Sequence, residues 1–184
     1  MSWTINKTFE FDFGHRVHSQ RLNTVLSLDG CLACRHLHGH RGKVRVFLTS
    51  EKLDDKGMVL DFKELNWFKK FLDDVIDHKM ILDLNDPALK TIYPILQGSD
   101  IFLRENLVMN LPEKYFTIYP AIYEQTAIHD REIYEGLVLV DFVPTSENLA
   151  KWLFEIVQSK LEGYATVEKI EFWETPKSCS TYSI

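Results

Sequence analysis

Five of the seven histidines, His15, His18, His36, His38 and His40, fall within a 26-residue window, where an even spread over 184 residues would place about one. Imidazoles at that density suggest metal binding or proton transfer, because the neutral ring is a zinc ligand and its cation is an acid near neutral pH. Side chains two apart on a strand share a face, so His38 and His40 would project together. By the same rule His15 ends the apolar face made by Phe9, Phe11 and Phe13. Three imidazoles from neighbouring strands suit zinc and leave its fourth position open to water or substrate, as in catalytic sites. Two blander readings use the same stretch. The histidines are loop and edge residues without a ligand, or Cys31, Cys34, His38 and His40 close a structural zinc knot. A redox use of Cys31-x-x-Cys34 is weaker, because that motif normally opens a helix, and here Gly39 and Gly42 follow.

If zinc takes the three histidines, Cys34 is left beside a divalent cation, which favours its thiolate and makes it a candidate base. Asp77-His78 is a second candidate, a histidine just past a helix end next to a carboxylate able to orient its ring. Its alternative is a capping or surface role. Glu174 is the third, since it prolongs an apolar strand face and there needs donors or a shifted pKa. A strand-end side chain reaching solvent is the alternative in that case.

The elements that must carry these groups follow from periodicity. Residues 3–15 and 38–48 alternate as strands, joined by a loop, 16–37, longer than a hairpin needs. Asp61 and Glu64 have capping-box spacing, and Phe62, Leu65, Phe68, Leu72, Val75 and Ile76 recur at helical intervals up to Asp77-His78. Pro144-Thr145-Ser146-Glu147 opens a second helix with the stripe Leu149, Trp152, Leu153, Ile156, Val157 and Leu161. After Gly163, residues 167–174 read as a strand with Ile170, Phe172 and Glu174 on one face, and 179–184 as a short last strand. Between the helices, 87–143 is broken by Pro94, Gly98, Pro112 and Pro120, and reads as an ordered insertion ending in a strand at 137–143. The pattern is α+β, and 184 residues with 45% hydrophobic content make a single domain, 1–184, carrying that insertion.

Charge and composition narrow the function classes. Twenty-one basic against 27 acidic side chains give a net charge of −6, which disfavours non-specific nucleic-acid binding. No apolar run approaches a membrane span, the first residues lack a signal-peptide core, and three cysteines are few and odd for a disulfide scaffold. The expectation is a cytoplasmic protein without a nucleic-acid or membrane partner.

Phe9-x-Phe11-x-x-x-His15 and Cys34-x-x-x-His38-Gly39-His40 together resemble the two zinc-ligand motifs of the 6-pyruvoyl-tetrahydropterin synthase/6-carboxytetrahydropterin synthase family. Asp61-Phe62-x-Glu64-Leu65, Asp77-His78 with Leu84-Asn85-Asp86, Pro144-Thr145-Ser146-Glu147-Asn148-Leu149-Ala150 and Glu174-Thr175 follow in family order. The resemblance covers 1–86 and 144–184, and the combination is far more specific than any single motif. It implies a tunnelling fold, an antiparallel sheet with two helices on one face that closes into an oligomeric β-barrel, commonly a hexamer with active sites at subunit boundaries. It implies zinc on His15, His38 and His40, Cys34 as proton-abstracting base, Asp77-His78 as proton relay, and substrate binding by Glu174 and Thr145. The substrate class it implies is a dihydropterin with a triphosphorylated three-carbon side chain. The short Cys34-to-His38 spacing is similar to that of the 6-carboxytetrahydropterin synthases of queuosine and 7-deazaguanine biosynthesis, which release acetaldehyde and triphosphate. A pyruvoyl-type triphosphate lyase is the alternative enzyme, and a structural zinc module binding a protein partner through the insertion is the non-enzymatic one. Short family members lack the 87–143 segment.

Overall fold

A computed structural model of the chain describes residues 1–96, 106–124 and 126–184. Gly98, one of the expected breakers, lies outside them. In chain order the elements are strands β1 (Trp3–His15) and β2 (His38–Ser50), helix α1 (Asn66–Phe71), β3 (Lys79–Asp83) and the short helix α2 (Leu89–Ile92). Strands β4 (Leu107–Asn110) and β5 (Tyr115–Ile118), helices α3 (Pro120–Tyr123) and α4 (Ile128–Glu135), and β6 (Leu137–Val140) complete the insertion. Helix α5 (Ser146–Leu161) and strands β7 (Thr166–Thr175) and β8 (Ser178–Ser183) close the chain. These segregate into two compact units, one of Met1–Phe13, His40–Asp77 and Thr145–Ile184, the other of Gly14–Gly39 and His78–Pro144.

In the first unit, antiparallel strands follow from alternation. Phe9, Phe11 and Phe13 are buried while Glu10 and Asp12 face out, and Val44, Val46 and Leu48 do the same on β2. Each buried side chain of this size contributes about 1.5–3 kcal/mol against the entropy of ordering it. β2 pairs antiparallel with β7, and β7 with β8. Val167 and Ile170 are three apart yet both buried, because the ladder slips between Phe47 and Leu48 and the extra β7 residue restores the phase. Gly42 is needed where a Cβ would lie 2.7 Å from the ring of Phe11 and 3.0 Å from that of Phe13.

The expected first helix is wound in three ways. A 3₁₀ turn, Phe62–Leu65, leads into α1, and a π turn, Leu72–Ile76, ends it. The tighter first turn rotates Phe62 out of phase, so it stands 49% exposed instead of joining the stripe, while Leu65, Phe68, Leu72 and Ile76 are buried as the periodicity requires. The Asp61 side chain caps the turn by accepting from the Lys63 amide at 2.8 Å. Helix α5 follows its sequence signals closely. Thr145 accepts from the Asn148 amide at 3.3 Å, Glu147 sits in the first turn, and the apolar stripe packs on β7 and β8.

The second unit corrects one expectation. The sheet is not wholly antiparallel, because β3 and β6 run parallel with Met80 opposite Leu137 and Asp83 opposite Val140. Parallel neighbours need a long crossover, and the insertion supplies it. β5 pairs antiparallel with both β4 and β6. β6, expected at 137–143, ends at Val140 and is buried at every residue, as a strand covered on both faces must be. Leu82, Leu89, Tyr93, Leu96, Ile118, Tyr123, Leu137 and Leu139 form a core within this unit. Burial there raises the pKa of Tyr93 and, with help from Glu135 and Glu124, that of Tyr123. No helix among the described residues is long and apolar enough to cross a membrane.

Candidate metal centre and its surroundings

β1 delivers His15 as its last residue, 1% exposed, and β2 delivers His38 and His40 at its start, both half-buried. Ligand atoms of the three lie within 4.8 Å of one another. The His15 and His38 rings are 4.5 Å apart centre to centre, and His40 lies 5.9 Å from the ring of Phe13. Backbone carbonyls decide the tautomers. His15 Nδ1 donates to the Pro144 carbonyl at 2.7 Å, and His38 Nδ1 donates to the His36 carbonyl at 2.8 Å. A carbonyl can only accept, so each neutral ring carries its proton on Nδ1 and its lone pair on Nε2. This is the arrangement by which outer partners orient metal-binding imidazoles, and the donor set fits zinc. Among the described residues neither Cys31 nor Cys34 joins the group, so the structure gathers the imidazole trio and not the Cys31/Cys34 knot.

Cys34 is half-buried in the 3₁₀ turn Ala33–Arg35, and its carbonyl accepts from the Val17 amide at 2.7 Å. Cys31 is exposed. Asp77 follows the π turn and its Oδ1 accepts from the Asp12 amide at 2.8 Å, while His78 is exposed and left-handed with φ of 58°. That conformation is uncommon for a residue with a Cβ and sets the direction in which His78 leaves the helix end. Glu174 is half-buried at the slip between Trp173 and Thr175, where the β7–β8 ladder becomes irregular. Thr145 is half-buried and its hydroxyl caps α5. Of these residues, Cys34 and His78 fall in the second unit with His15 and His38, whereas Asp77, Glu174 and Thr145 fall in the first with His40.

Sequence reasoning missed a buried polar network in the second unit. Arg16 Nη1 meets Asp86 Oδ1 at 2.5 Å, and His18 Nε2 meets Asp83 Oδ2 at 3.0 Å. A signal existed, since Asp83 extends the apolar run Ile81-Leu82 just as Glu174 extends Ile170-x-Phe172. The partners sit 65 and 70 residues away, which no local pattern reveals.

The model of the family described as 6-pyruvoyl tetrahydropterin synthase matches residues 4–184. The chain belongs to that family. A 6-carboxy-5,6,7,8-tetrahydropterin synthase of Aquifex aeolicus is 31% identical, with 99% of this chain and 98% of that protein aligned, so this synthase-family relative spans the insertion as well. A crystal structure of an uncharacterized protein from Wolinella succinogenes is 43% identical and superposes with a TM-score of 0.93, covering 100% of this chain and 98% of that one. The 6-pyruvoyl tetrahydropterin synthase structure from Caenorhabditis elegans, 21% identical, covers 100% of this chain and 96% of its own with a TM-score of 0.55. The family architecture is therefore the α+β tunnelling fold expected from the motifs.

Proposed function

We propose that the protein is a zinc-dependent 6-carboxy-5,6,7,8-tetrahydropterin synthase of queuosine and 7-deazaguanine biosynthesis. It would convert 7,8-dihydroneopterin triphosphate, with one water, to 6-carboxytetrahydropterin, acetaldehyde and triphosphate. The observation that carries this reading is the imidazole trio, two of its rings held with Nε2 as the lone-pair nitrogen, one of them, His38, four residues after the half-buried Cys34. The 31% identity to a full-length relative of that name supports the carboxy product over the pyruvoyl one, as does the Cys34-x-x-x-His38 spacing.

A divalent ion held by His15, His38 and His40 would act as a Lewis acid on the side-chain hydroxyls, easing loss of the neighbouring carbon-bound proton. The protein's own residues divide the remaining work. Cys34, as thiolate, accepts that proton. His78, exposed at the helix end next to Asp77, returns or removes a proton on the hydroxyl side, and Asp77 holds the corner through the Asp12 amide. Glu174 accepts two hydrogen bonds from the 2-amino-pyrimidinone edge and Thr145 shares the binding role, fixing the ring so that the reacting carbons meet the bases. The enzyme works in the cytoplasm as a homo-oligomer, a hexamer in the family manner.

The test is zinc content measured together with product mass after incubation with 7,8-dihydroneopterin triphosphate. About one zinc per chain and the 6-carboxy product with acetaldehyde are expected, and Cys34→Ala keeps the zinc and loses turnover. Accumulation of a pyruvoyl product would favour the other lyase. Zinc-loaded protein inert towards this substrate overturns the reading.

A further inference from the structure

Residues 16, 17 and 18 each use a hydrogen bond, and the pattern has a direction. The Arg16 guanidinium spans two partners, with Nη1 on Asp86 Oδ1 at 2.5 Å and Nε on the Arg35 carbonyl at 2.6 Å. The Val17 amide takes the Cys34 carbonyl at 2.7 Å. His18 Nε2 meets Asp83 Oδ2 at 3.0 Å. Two consecutive carbonyls of the cysteine turn are thus held by a three-residue segment that is itself bolted at both ends to buried carboxylates.

The bolts are rigid. Asp86 has a fully buried side chain whose Oδ1 also accepts from the Ala88 amide at 2.8 Å, and among the described residues its Oδ2 finds no donor. A buried carboxylate so placed depends on the Arg16 cation. Asp83 Oδ1 accepts from the amide of Asn85 at 2.8 Å and from its side-chain nitrogen at 3.1 Å. The turn 83–86 is flanked by Leu82 and Leu89 of the second unit's buried core. A flexible ammonium cannot reproduce the fixed fork that lets one side chain hold both Asp86 and the Arg35 carbonyl.

We propose that Arg16, anchored by Asp86, is a positioning residue for Cys34: it holds the cysteine turn so that the thiol stays half-buried and aimed at substrate. The proposal rests on the reading of Cys34 as the base. It assigns Asp86, His18 and Asp83 a supporting part in catalysis that none of them performs by touching substrate.

The experiment compares wild type with Arg16→Lys and Asp86→Glu as zinc-loaded protein. It reads kcat and KM on 7,8-dihydroneopterin triphosphate, thermal midpoint, zinc content, and the iodoacetamide alkylation rate of each cysteine by peptide mass. In a folded, zinc-retaining Arg16→Lys, kcat falls about 10- to 100-fold with KM within about twofold, the cost of misplacing a reacting group by about 1 Å. Cys34 alkylation rises about threefold while that of Cys179 is unchanged. Opposite changes, faster with an outside reagent and slower with substrate, are not expected of general destabilisation. Asp86→Glu, which moves the anchor by one methylene, shifts both readouts the same way and serves if the lysine variant does not fold. Unchanged Cys34 alkylation in a folded variant overturns the proposal, whatever happens to turnover. A wild type inert on the pterin, with alkylation changing as expected, overturns the functional reading and leaves the positioning intact.

Discussion

Two corners of the molecule pair an aspartate with a histidine, and they are built oppositely. At Asp77-His78 the partners are chain neighbours, the histidine is exposed, and its backbone is left-handed with φ of 58°. At Asp83 and His18 they are 65 residues apart, and the side chains are 4% and 16% exposed at 3.0 Å. An acid–base group must reach a substrate and exchange its proton, which the exposed corner permits. A strut must keep its partner still, which burial and a second set of bonds to Asn85 provide. The same pair of residue types is therefore suited to different purposes according to what surrounds it, and type alone does not distinguish them.

Substitutions sharpen this contrast. His38→Ala, which removes a member of the imidazole trio, is expected to give the largest effect, with zinc falling from about one per chain to a small fraction and turnover lost, as read by metal analysis. His78→Gln should retain zinc and reduce kcat by about 10²–10⁴, the range for removing a general acid or base. His18→Gln should cost about tenfold in kcat with zinc retained. If it cost as much as His78→Gln, the division of labour between the corners would be wrong. Stability runs the other way. Asp83→Ala removes a buried carboxylate that bonds the half-buried His18 and both nitrogens of Asn85, and is expected to cost about 1–3 kcal/mol in urea denaturation. Asp77→Ala removes a bond to the exposed Asp12 amide and should cost about 0.5–1.5 kcal/mol.

The same contrast explains what could be read from sequence. β1 and β2 were legible because Phe9, Phe11 and Phe13, like Val44, Val46 and Leu48, alternate without interruption, and His15, His38 and His40 inherit their direction from that alternation. Helix α5 was legible because its cap and its stripe agree. The run 62–76 showed its helical period but not its mixed winding, since Phe62 fits the spacing and is turned out by a 3₁₀ start that spacing does not encode. Within the insertion, nothing local states that β6 lies parallel to β3, a pairing made across some fifty intervening residues. Arg16 and Asp86 were hidden for the same reason, since each is an ordinary charged residue until the fold brings them together.

One hydrogen bond links two events usually considered apart. The carbonyl that receives the His15 ring belongs to Pro144, the residue just before the one that caps α5. Were the head of that helix to fray, the carbonyl would be freed and the imidazole would lose its guide, so affinity for an ion held there would gauge whether a distant stretch of chain has finished folding. A chelator competing at rising denaturant would then strip the protein before its secondary structure is lost, and the gap between the two curves would measure how firmly the helix head is seated.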